Sequence, residues 1–529
     1  MDQTEGFPNT RKESNKLDCS RFGGPEDPSF MEYWRTSSSS SSSSSLPIGE
    51  QPPPEIRLPS HENKFVTFEL DEGGWNNIRM GFETAAALAV ATGRILVLPP
   101  TQKMYLLDHP SLGLDQFYPL DNAELLRPLR VWSLERFLRW RRDLGLTVPT
   151  RPTSPNSTAT TATQTQTEPS VSWDGSTLDE LSVLHDWMRQ HLTVPQWNYR
   201  QCIVVIPPSI HGGQPSNLTV PADKARTQGH KGARLVQRQY GGKPTPIDAP
   251  AQARALEVLS HRRNKLCLYD ESVSVLHLPG SGNDRYLVHF YAFVFAEDWR
   301  LDLWIKRFVR DRFRYADAIQ CAAARIVQEL EKLSAGANTN TSIGNSTSND
   351  STATFDAMHV RRGDFKMKKA WLPAEAMYDQ TLKHTVPEHT LLYIATAEKN
   401  KTFYEFFHQY YDVRYLDDFK DQLGDLPFEF YGNVDQLVAS QARTFVGCYY
   451  STFSGYINRI RGYQTQKRKR RGSGWRQGIV DSYYYAPFRR RDVMRTYFPI
   501  VSPMTAQDFA ISWRLIDEVN GEQQYTDEE

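Results

Sequence analysis

The sequence predicts an α/β protein built from two Rossmann-like domains. A strand, a helix and a second strand follow one another from residue 65, a similar alternation returns after residue 353, and a polar stretch separates the two. The chain also has 529 residues, whereas a single hydrophobic core rarely grows beyond about 250–300 residues. Two folding units are therefore expected.

The first strand–helix–strand unit sets the class of the N-terminal half. We predict a strand at 65–70, ended by Gly73 and Gly74, then a helix at 78–92 and a second strand at 95–98. The second strand is apolar throughout, which is typical of a parallel sheet covered by helices on both faces.

The rest of the chain continues in the same alternation. In its middle we predict strands at 202–206 and 287–295 and one long helix at 298–333. In the second half we predict strands at 354–360, 391–396, 413–415 and 444–446. Between and after them we predict helices at 402–410, at 434–441 and from residue 451 onward. Such an alternation is typical of parallel sheets.

Polar, low-complexity stretches set the expected limits of the two domains. Segments rich in Pro, Ser and Thr rarely bury enough apolar surface to fold. The expected divisions are a disordered N-terminal segment (1–60), an N-terminal Rossmann-like domain (61–333) with a polar insertion (150–172), a low-complexity insertion (334–352), a C-terminal Rossmann-like domain (353–520) and a tail (521–529).

Bulk properties narrow the function and the compartment. The 62 basic residues are balanced by 62 acidic ones, which argues against a nucleic-acid-binding protein. Five cysteines are enough for one or two disulfides, with a pairing that the sequence does not reveal.

The first 60 residues contain no apolar run that suits a signal peptide or a membrane anchor, so the protein is expected to be cytosolic unless the start of the gene is missing. Sequons at Asn217 and Asn400 instead favour secretion.

The turn after the first strand is the first candidate site. Gly73 and Gly74 would let the backbone approach a ligand closely. Glu72 could serve as a general base at the rim of a cleft, and Asn76 and Asn77 could orient a sugar by hydrogen bonds. The alternative is an ordinary turn in which the asparagines cap the next helix.

The second candidate site follows the strand at 354–360. Side chains alternate along a strand, so His359 and Arg361 are expected on one face. A guanidinium at a strand end suits a diphosphate, because it makes two directed charge-assisted bonds. Arg362 would pair with Asp364 or another carboxylate and support the loop. The alternative is a structural cluster of ion pairs.

The third candidate site is a helix start at Ser451 and Thr452. Free backbone N–H groups at such a start attract phosphate, although an ordinary Ser cap has the same appearance. The chain contains no Asp-x-Asp tripeptide that would hold a cation for a sugar diphosphate. We therefore expect no metal, with positive charge supplied by Arg361 and this helix.

Taken in order, these segments resemble the GDP-fucose protein O-fucosyltransferase family from about residue 64 to residue 497. The specific parts are His359–Asp364, the stretch 434–438, and the run from 451–454 to 458–462, with residues 307–315 also similar. The resemblance implies a GT-B fold, in which two Rossmann-like domains face a cleft. It implies that the N-terminal domain lies on the acceptor side and that the C-terminal domain binds the nucleotide sugar.

The resemblance also implies a reaction and a compartment. Members transfer fucose from GDP-fucose to a hydroxyl of a protein or glycan acceptor, with inversion and without a metal or other cofactor. They work in the secretory pathway, in the ER or Golgi. A related transferase with a donor like UDP-rhamnose, or a non-catalytic scaffold of the same fold, are the alternatives. The acceptor itself is not implied.

Roles for individual residues carry over by match. Arg361 and Glu72 are the implied catalytic residues, with Arg361 on the diphosphate and Glu72 the acid–base residue of some members only. Asp435 would read the guanine edge. The resemblance implies donor contacts from His359, Arg361, Asp435, Ser451, Thr452 and Phe453. The motifs themselves add Gly73, Gly74, Asn76 and Asn77 to the expected donor-binding set, with Arg362 and Asp364 in support.

Overall fold

In the part of the chain that it describes, the computed structural model of the protein contains three sheets, and every strand pair in them is parallel. Parallel sheets joined by helices make an α/β fold, as predicted. The described residues are 16–34, 63–107, 109–150, 173, 178–195, 202–206, 265–268, 272–281, 294–296, 299–339, 354–363, 365–366, 368–464 and 482–486.

The first sheet belongs to the N-terminal half. Its strands are β1 (Phe65–Phe68), β2 (Ile95–Val97), β3 (Arg130–Trp132) and β6 (Val275–Leu278), in the order β3–β2–β1–β6. Helix α1 (Trp75–Ala91) connects β1 to β2. This arrangement confirms the predicted strand–helix–strand unit. The helix begins earlier than predicted, because Gly74 already has the extended backbone of an N-cap.

The second sheet also lies in the N-terminal half. It consists of β4 (Cys202–Ile206), β5 (Lys265–Leu268) and β7 (Val294–Ala296), in the order β5–β4–β7. The strand predicted at 202–206 is confirmed. The strand predicted at 287–295 is seen only at its end, since residues 282–293 lie outside the described part of the chain.

The third sheet forms the core of the C-terminal half. It has the order β10–β9–β8–β11–β12, with all neighbours parallel. β8 is buried along its whole length, as a central strand covered on both faces should be. The five strands are β8 (Asp356–Val360), β9 (Leu391–Thr396), β10 (Asp412–Arg414), β11 (Phe445–Cys448) and β12 (Ser482–Ala486).

The remaining helices cover the sheets and connect the strands. They are α2 (Leu134–Asp143), α3 (Leu178–His191), α4 (Trp299–Arg312), α5 (Asp317–Thr339), α6 (Ala374–Met377), α7 (Lys383–Thr385), α8 (Lys420–Leu423), α9 (Tyr431–Gln441) and α10 (Thr452–Tyr463). A π-helical stretch (Tyr378–Leu382) joins α6 to α7, and the 3-10 helices are Ser20–Phe22, Leu114–Gln116, Lys368–Ala370, Lys401–Gln409, Leu416–Phe419 and Phe428–Phe430. Within the described residues, no helix is both long and apolar enough to cross a membrane.

The prediction of one long helix at 298–333 was wrong. The stretch forms two helices, α4 and α5, because the residues between them turn inward to pack. Phe313 and Tyr315 are 2% and 0% exposed, and the Ala316 amide donates to the carbonyl of Phe117. The second helix also runs on to Thr339, into the stretch predicted as a low-complexity insertion.

The predicted limits of the two domains stay a prediction, but the packing of α5 bears on them. Helix α5 packs against α8, α9 and β9, all of which belong to the C-terminal half. By its contacts, α5 therefore lies with the C-terminal sheet. The polar insertion predicted at 150–172 and residues 340–352 of the second insertion lie almost entirely outside the described residues.

One hydrophobic core runs through both halves of the molecule. Val66 of β1 and Phe82 of α1 belong to the same cluster as Ala323 of α5, Val438 of α9 and Ile457 of α10. The two halves therefore meet in a packed interface formed largely by α1, α5, α9 and α10.

A buried ion cluster lies in this interface and joins α1 to α10. Glu83 accepts from Arg79 Nη1 at 3.0 Å and from Arg459 Nη1 and Nη2 at 2.7 and 3.0 Å. All three side chains are at most 1% exposed. Burial opposes ionisation of Glu83, but Arg459 and Arg79 outweigh it and hold the pKa of the carboxyl below its usual range. The cluster fixes the two halves against each other, and we call it the interdomain ion cluster.

The N-terminal segment was predicted to be disordered over 1–60, and for residues 16–34 that prediction was wrong. A disulfide joins Cys19 to Cys321 of α5. Tyr33 and Trp34 are 3% and 4% exposed, and the ring of Tyr33 stacks on Tyr463 with a 5.6 Å separation of centroids. Apolar side chains and a covalent cross-link thus attach this segment to the C-terminal half, despite its polar surroundings in the sequence.

Removing the disulfide should lower the stability of the protein. It closes a loop of 302 residues, and losing a cross-link over a long loop typically costs about 2–5 kcal/mol. We expect Cys19→Ala, Cys321→Ala and the double variant to lose about the same free energy of unfolding in urea titrations, because each breaks the same bond. Losses that simply add in the double variant would show that the bond does not form.

Candidate active site

Two neighbouring strands bring the second and third sequence motifs to one edge of the C-terminal sheet. β8 and β11 are parallel, with Met358 opposite Val446. Arg361 and Ser451 follow the carboxyl ends of these strands, so they lie side by side where open α/β sheets bind ligands. The backbone amide of Arg361 donates to the hydroxyl of Tyr485 on β12 at 3.3 Å. That bond fixes the start of the loop that carries the guanidinium.

His359 holds the start of α10 against β8. Its Nδ1 lies 2.7 Å from the hydroxyl oxygen of Ser454, and its ring stacks on Phe453 at 4.4 Å. Burial, with a smaller effect from the charge of Arg361, lowers the pKa of His359 to about 3. The imidazole is therefore neutral at physiological pH, so it positions Phe453 and adds no charge.

The N-terminus of α10 approaches β11 unusually closely. Ser451 is the N-cap residue and is 4% exposed. A side-chain carbon at Gly447 would lie only 2.8 Å from the hydroxyl oxygen of Ser454, so only glycine permits this approach. The helix start therefore presents backbone N–H groups and the positive end of its dipole beside Arg361, an arrangement that suits a phosphate.

The turn after β1 contacts this helix start from the opposite half of the molecule. The Gly73 amide donates to Asp71 Oδ1 at 2.7 Å, and a side-chain carbon at Gly73 would lie 2.1 Å from Asn77 Nδ2. The Thr452 hydroxyl donates to Asn77 Oδ1 at 3.3 Å. The first and third sequence motifs are thus in direct contact across the two domains.

Asn76 lies in the interface and not on an open surface. It is 4% exposed, and its Oδ1 accepts from Gln436 Nε2 at 3.0 Å and from Arg79 Nε at 3.3 Å. Gln436 in turn accepts from the Tyr315 hydroxyl at 2.9 Å, and that hydroxyl accepts from Trp75 Nε1 at 3.0 Å. Asn76 is therefore committed to a buried network that positions the neighbouring Asn77.

Asp435 of α9 and Tyr393 of β9 form a buried pair between the helix and the sheet. The Tyr393 hydroxyl donates to Asp435 Oδ1 at 2.5 Å. Burial raises the pKa of Asp435 to about 7, although the bond from Tyr393 partly opposes this. Burial and the neighbouring carboxylate raise the pKa of Tyr393 well above its usual range, so Tyr393 remains a donor. Asp435 thus titrates near neutral pH.

Arg362 supports the loop after β8 through contacts that the sequence did not predict. Its Nη1 donates to the Leu372 carbonyl at 3.2 Å, and its guanidinium lies 4.0 Å from the ring centroid of Phe403. Asp364, the predicted partner, lies outside the described residues. A supporting role for Arg362 agrees with these contacts, and its pairing with Asp364 stays a prediction.

Glu72 lies on the same turn as Gly73 and faces solvent. It is exposed and contributes to the wall of a cavity of about 340 Å³. A carboxylate in this position is accessible to a substrate hydroxyl, as a general base must be. In the part of the chain that the structure describes, no group of three or more His, Cys, Asp or Glu side chains could hold a metal ion.

Three residues of the site were missed at the sequence level. Ser454 holds His359, Gln436 holds Asn76, and Tyr393 holds Asp435. Ser454 and Gln436 lie inside the matched motifs, so their position next to predicted site residues could have identified them. For Tyr393 the signal was a polar-tipped aromatic residue in an otherwise apolar strand, Leu391–Thr396.

Comparisons with known proteins agree with the sequence motifs. A family model described as GDP-fucose protein O-fucosyltransferase matches residues 65–464, which includes every motif of the site. Among curated protein sequences, none matches this chain significantly.

Solved structures of fucosyltransferases also match the chain at low similarity. A mutant of Arabidopsis thaliana FUT1 in complex with GDP is 11% identical, covering 75% of this chain and 68% of its own, with a TM-score of 0.31. POFUT1 in complex with GDP-fucose is 11% identical, covering 77% and 96%, with a TM-score of 0.30. NodZ alpha-1,6-fucosyltransferase soaked with GDP-fucose is 12% identical, covering 75% and 92%, with a TM-score of 0.33. At these TM-scores the likeness carries no argument about the site.

Proposed function

The chain belongs to the GDP-fucose protein O-fucosyltransferase family and is a glycosyltransferase, and from this premise we propose that it moves fucose from GDP-fucose to an acceptor hydroxyl. The observation that carries the proposal is the placement of Arg361 beside the N-terminus of α10, at the edge of a parallel sheet. Such a site can neutralise a diphosphate without a metal ion.

We assign the donor contacts as follows. Arg361, Ser451 and Thr452 hold the diphosphate, because a guanidinium and a helix start both favour anions. His359 and Phe453 pack beside the nucleoside, and Asp435 accepts from the guanine edge. The turn of Gly73, Gly74 and Asn77 closes the site from the N-terminal half, with Asn76 as a positioning residue.

The reaction we propose is a single inverting displacement. An acceptor O–H approaches the anomeric carbon of fucose from the side opposite the phosphate. Glu72 takes the proton of that hydroxyl as the new C–O bond forms. The bond between the anomeric carbon and the phosphate oxygen breaks, and the electron pair leaves with GDP. Arg361 stabilises the charge that develops on the diphosphate.

Calorimetric titration of the full chain tests the donor directly. GDP, GDP-fucose, UDP and UDP-rhamnose are titrated first with a chelator and then with manganese. We expect micromolar binding of the guanine nucleotides alone, unchanged by manganese. Preference for uridine nucleotides would support the rhamnosyltransferase alternative, manganese-dependent binding would overturn the metal-free mechanism, and no nucleotide binding would favour a scaffold.

Glu72→Gln should lower turnover and leave the affinity for GDP unchanged. The variant keeps the shape of the side chain but cannot take a proton, and a positioned general base typically contributes about 100- to 10,000-fold. The measurement is fucose transfer against GDP affinity in the same sample. Glu124→Gln, at an exposed position away from the cavity, is the control. Weakened GDP binding in Glu72→Gln would reassign Glu72 to the donor site.

Affinity for GDP should fall as the pH falls from 8 to 6. Asp435 must be ionised to accept from guanine, and its pKa in the unliganded protein is about 7. The ionised fraction therefore drops roughly tenfold over this range. Titration of His359 does not contribute, because its pKa is about 3.

Asp435→Asn is the control for this pH dependence. The variant should bind GDP more weakly at pH 8 and keep only the pH dependence that belongs to the phosphates, whose second pKa is about 6. Equal pH profiles for the wild type and the variant would separate Asp435 from guanine recognition.

We propose the secretory pathway as the compartment, as the family resemblance implies. The disulfide between Cys19 and Cys321 supports this, because disulfides persist in oxidising compartments and are rare in the cytosol. Alkylation of the protein in freshly lysed source cells, followed by mass spectrometry, would test it. Two alkylated thiols at these positions would favour the cytosol.

A further inference from the structure

A cavity of about 340 Å³ opens beside the Asp71–Gly74 turn of the N-terminal half. Its wall is formed by the end of β1, the loop after β2, helix α3 and the loop after β6. The volume falls within the range of small-molecule sites, roughly 300–1,000 Å³. Because Glu72 lies on its wall, the cavity adjoins the position proposed for proton transfer.

The floor of the cavity is a rigid, charge-paired network. Glu69 is 1% exposed and accepts from Arg189 Nε and Nη2 at 2.8 and 2.6 Å, and from the Gly280 amide at 3.0 Å. His277 Nε2 lies 3.2 Å from the same carboxylate. Burial opposes the ionisation of Glu69, but hydrogen bonds from His277 and Arg189 outweigh it and hold its pKa well below the usual range. The deepest charges are thus already compensated.

Gln102 offers a buried donor to whatever occupies the cavity. It is 7% exposed and lines the cavity. Its backbone is fixed by two hydrogen bonds with Leu112, at 3.0 and 2.9 Å, while its Nε2 has no partner among the described residues. Leaving a buried donor without an acceptor costs about 1–3 kcal/mol. A turn of this amide toward a ligand oxygen in the cavity would remove that cost.

The loop after Gln102 forms the rim with an unusual backbone. Leu106 has a φ of 68°, which is uncommon for a residue other than glycine and concentrates at functional sites. A side-chain carbon at Gly74 would lie 3.6 Å from Leu106 Cδ1, so this loop packs over the Asp71–Gly74 turn. Tyr105 beside it is 51% exposed and lines the cavity. It offers an aromatic wall with a polar tip.

We infer that this cavity is the acceptor subsite and that it holds a neutral sugar residue, so that the acceptor is a glycan. The inference rests on the proposed function for the position of the reacting hydroxyl. A sugar ring presents hydroxyls that donate and accept at once, which matches Gln102 on one wall and the carboxylates of Glu72 and Asp186 on others. Lys103 and these carboxylates put both signs of charge in one cavity, which disfavours a strongly charged ligand.

The size of the cavity also favours a glycan over a protein acceptor. The hydroxyl of a Ser or Thr on a folded domain would leave most of the 340 Å³ empty, and water would remain around the reacting group. One or two sugar rings would fill the space and exclude that water. Burial holds the pKa of His185 on this wall below its usual range, although Glu69 partly opposes this. The imidazole is thus neutral and can also serve hydroxyls.

Saturation-transfer NMR of the full chain with GDP present tests the inference without turnover. The probes are methyl glycosides of galactose, glucose, xylose and N-acetylglucosamine, with lactose and cellobiose. Ser182, exposed on α3 at the cavity wall, is changed to Trp to fill the space, and Gln102→Ala removes the buried donor. Gln190→Ala, exposed on the same helix but away from the cavity, is the matched control.

We expect at least one probe to bind, with Ser182→Trp abolishing its binding, Gln102→Ala weakening it about five- to tenfold, and Gln190→Ala changing nothing. Binding that survives Ser182→Trp, or no binding of any probe, would overturn the inference. The affinity for GDP, measured in the same samples, separates the two proposals. Wild-type protein that binds GDP but no sugar refutes only the glycan subsite, whereas lack of GDP binding in the wild type refutes the proposed function.

Discussion

Replacing Arg361 by alanine should lower turnover by roughly 100- to 1,000-fold, the usual cost of removing one preorganised group that stabilises developing charge. Arg361 follows the carboxyl end of β8, and the neighbouring strand β11 leads into the N-terminus of α10. Since the proposed reaction places new charge on the leaving GDP, the loss should be greatest in the rate and smaller in the affinity for GDP-fucose. Release of GDP from GDP-fucose, with water as acceptor, measures the rate without knowledge of the natural acceptor.

The matched control for Arg361→Ala is Arg139→Ala. Arg139 lies on α2 with a side chain 55% exposed, paired with Glu135 on the surface. It should keep full activity, and both variants should keep the melting temperature of the wild type. If Arg361→Ala released GDP at the normal rate, the positive charge at the diphosphate would have to come from another residue and the proposed site would be wrong.

Replacing Glu83 by alanine should destabilise the protein by about 3–5 kcal/mol, because removing one member of a buried ion cluster leaves the others in a low-dielectric interior. Arg79 and Arg459 share this carboxylate between α1 and α10. The melting temperature should fall by roughly 3–5 degrees, because the unfolding entropy of a chain of 529 residues is about 1.1 kcal/mol/K. We also expect weaker GDP binding, since Arg79 donates to Asn76 and so positions the turn beside Thr452.

A surface pair with the same i,i+4 spacing is the control for Glu83→Ala. Glu135 pairs with Arg139 one helical turn away, as Glu83 does with Arg79, but its side chain is 47% exposed. Exposed pairs of this kind contribute about 0–1 kcal/mol. Glu135→Ala should therefore barely move the melting temperature. Similar shifts in melting temperature in the two variants would show that the buried interdomain ion cluster stabilises the protein no more than an exposed pair does.

Local patterns predicted the sheets well and the breaks between helices poorly. The strand–helix–strand unit from Phe65 to Val97 was predictable, because the spacing of apolar residues follows the regular repeat of a buried strand or helix. The break before Asp317 was not, since it depends on where Phe313 and Tyr315 pack, which is a tertiary contact. Likewise, composition averaged over residues 1–60 hid a short stretch that is fixed by Cys19.

The candidate site was predictable where chain topology alone brings residues together. Arg361 and Ser451 follow neighbouring parallel strands, and that proximity follows from the alternation of strands and helices. The role of Asn76 was not predictable, because its partner Gln436 comes from the other half of the molecule. Gln102 carries no motif at all, and only the shape of the cavity around it identifies it.

The attachment of residues 16–34 affects how the protein should be produced in recombinant form. A truncation that starts near residue 60, the natural choice from composition, would leave Cys321 as an unpaired thiol. It would also remove Trp34, whose ring centroid lies 4.5 Å from the Arg314 guanidinium. The stacking of Tyr33 on Tyr463 would be lost as well. Such a product would expose a hydrophobic surface and a free thiol, and together these favour disulfide-linked dimers and precipitation. Expression vectors should therefore begin upstream of Leu17 and direct the chain to an oxidising compartment.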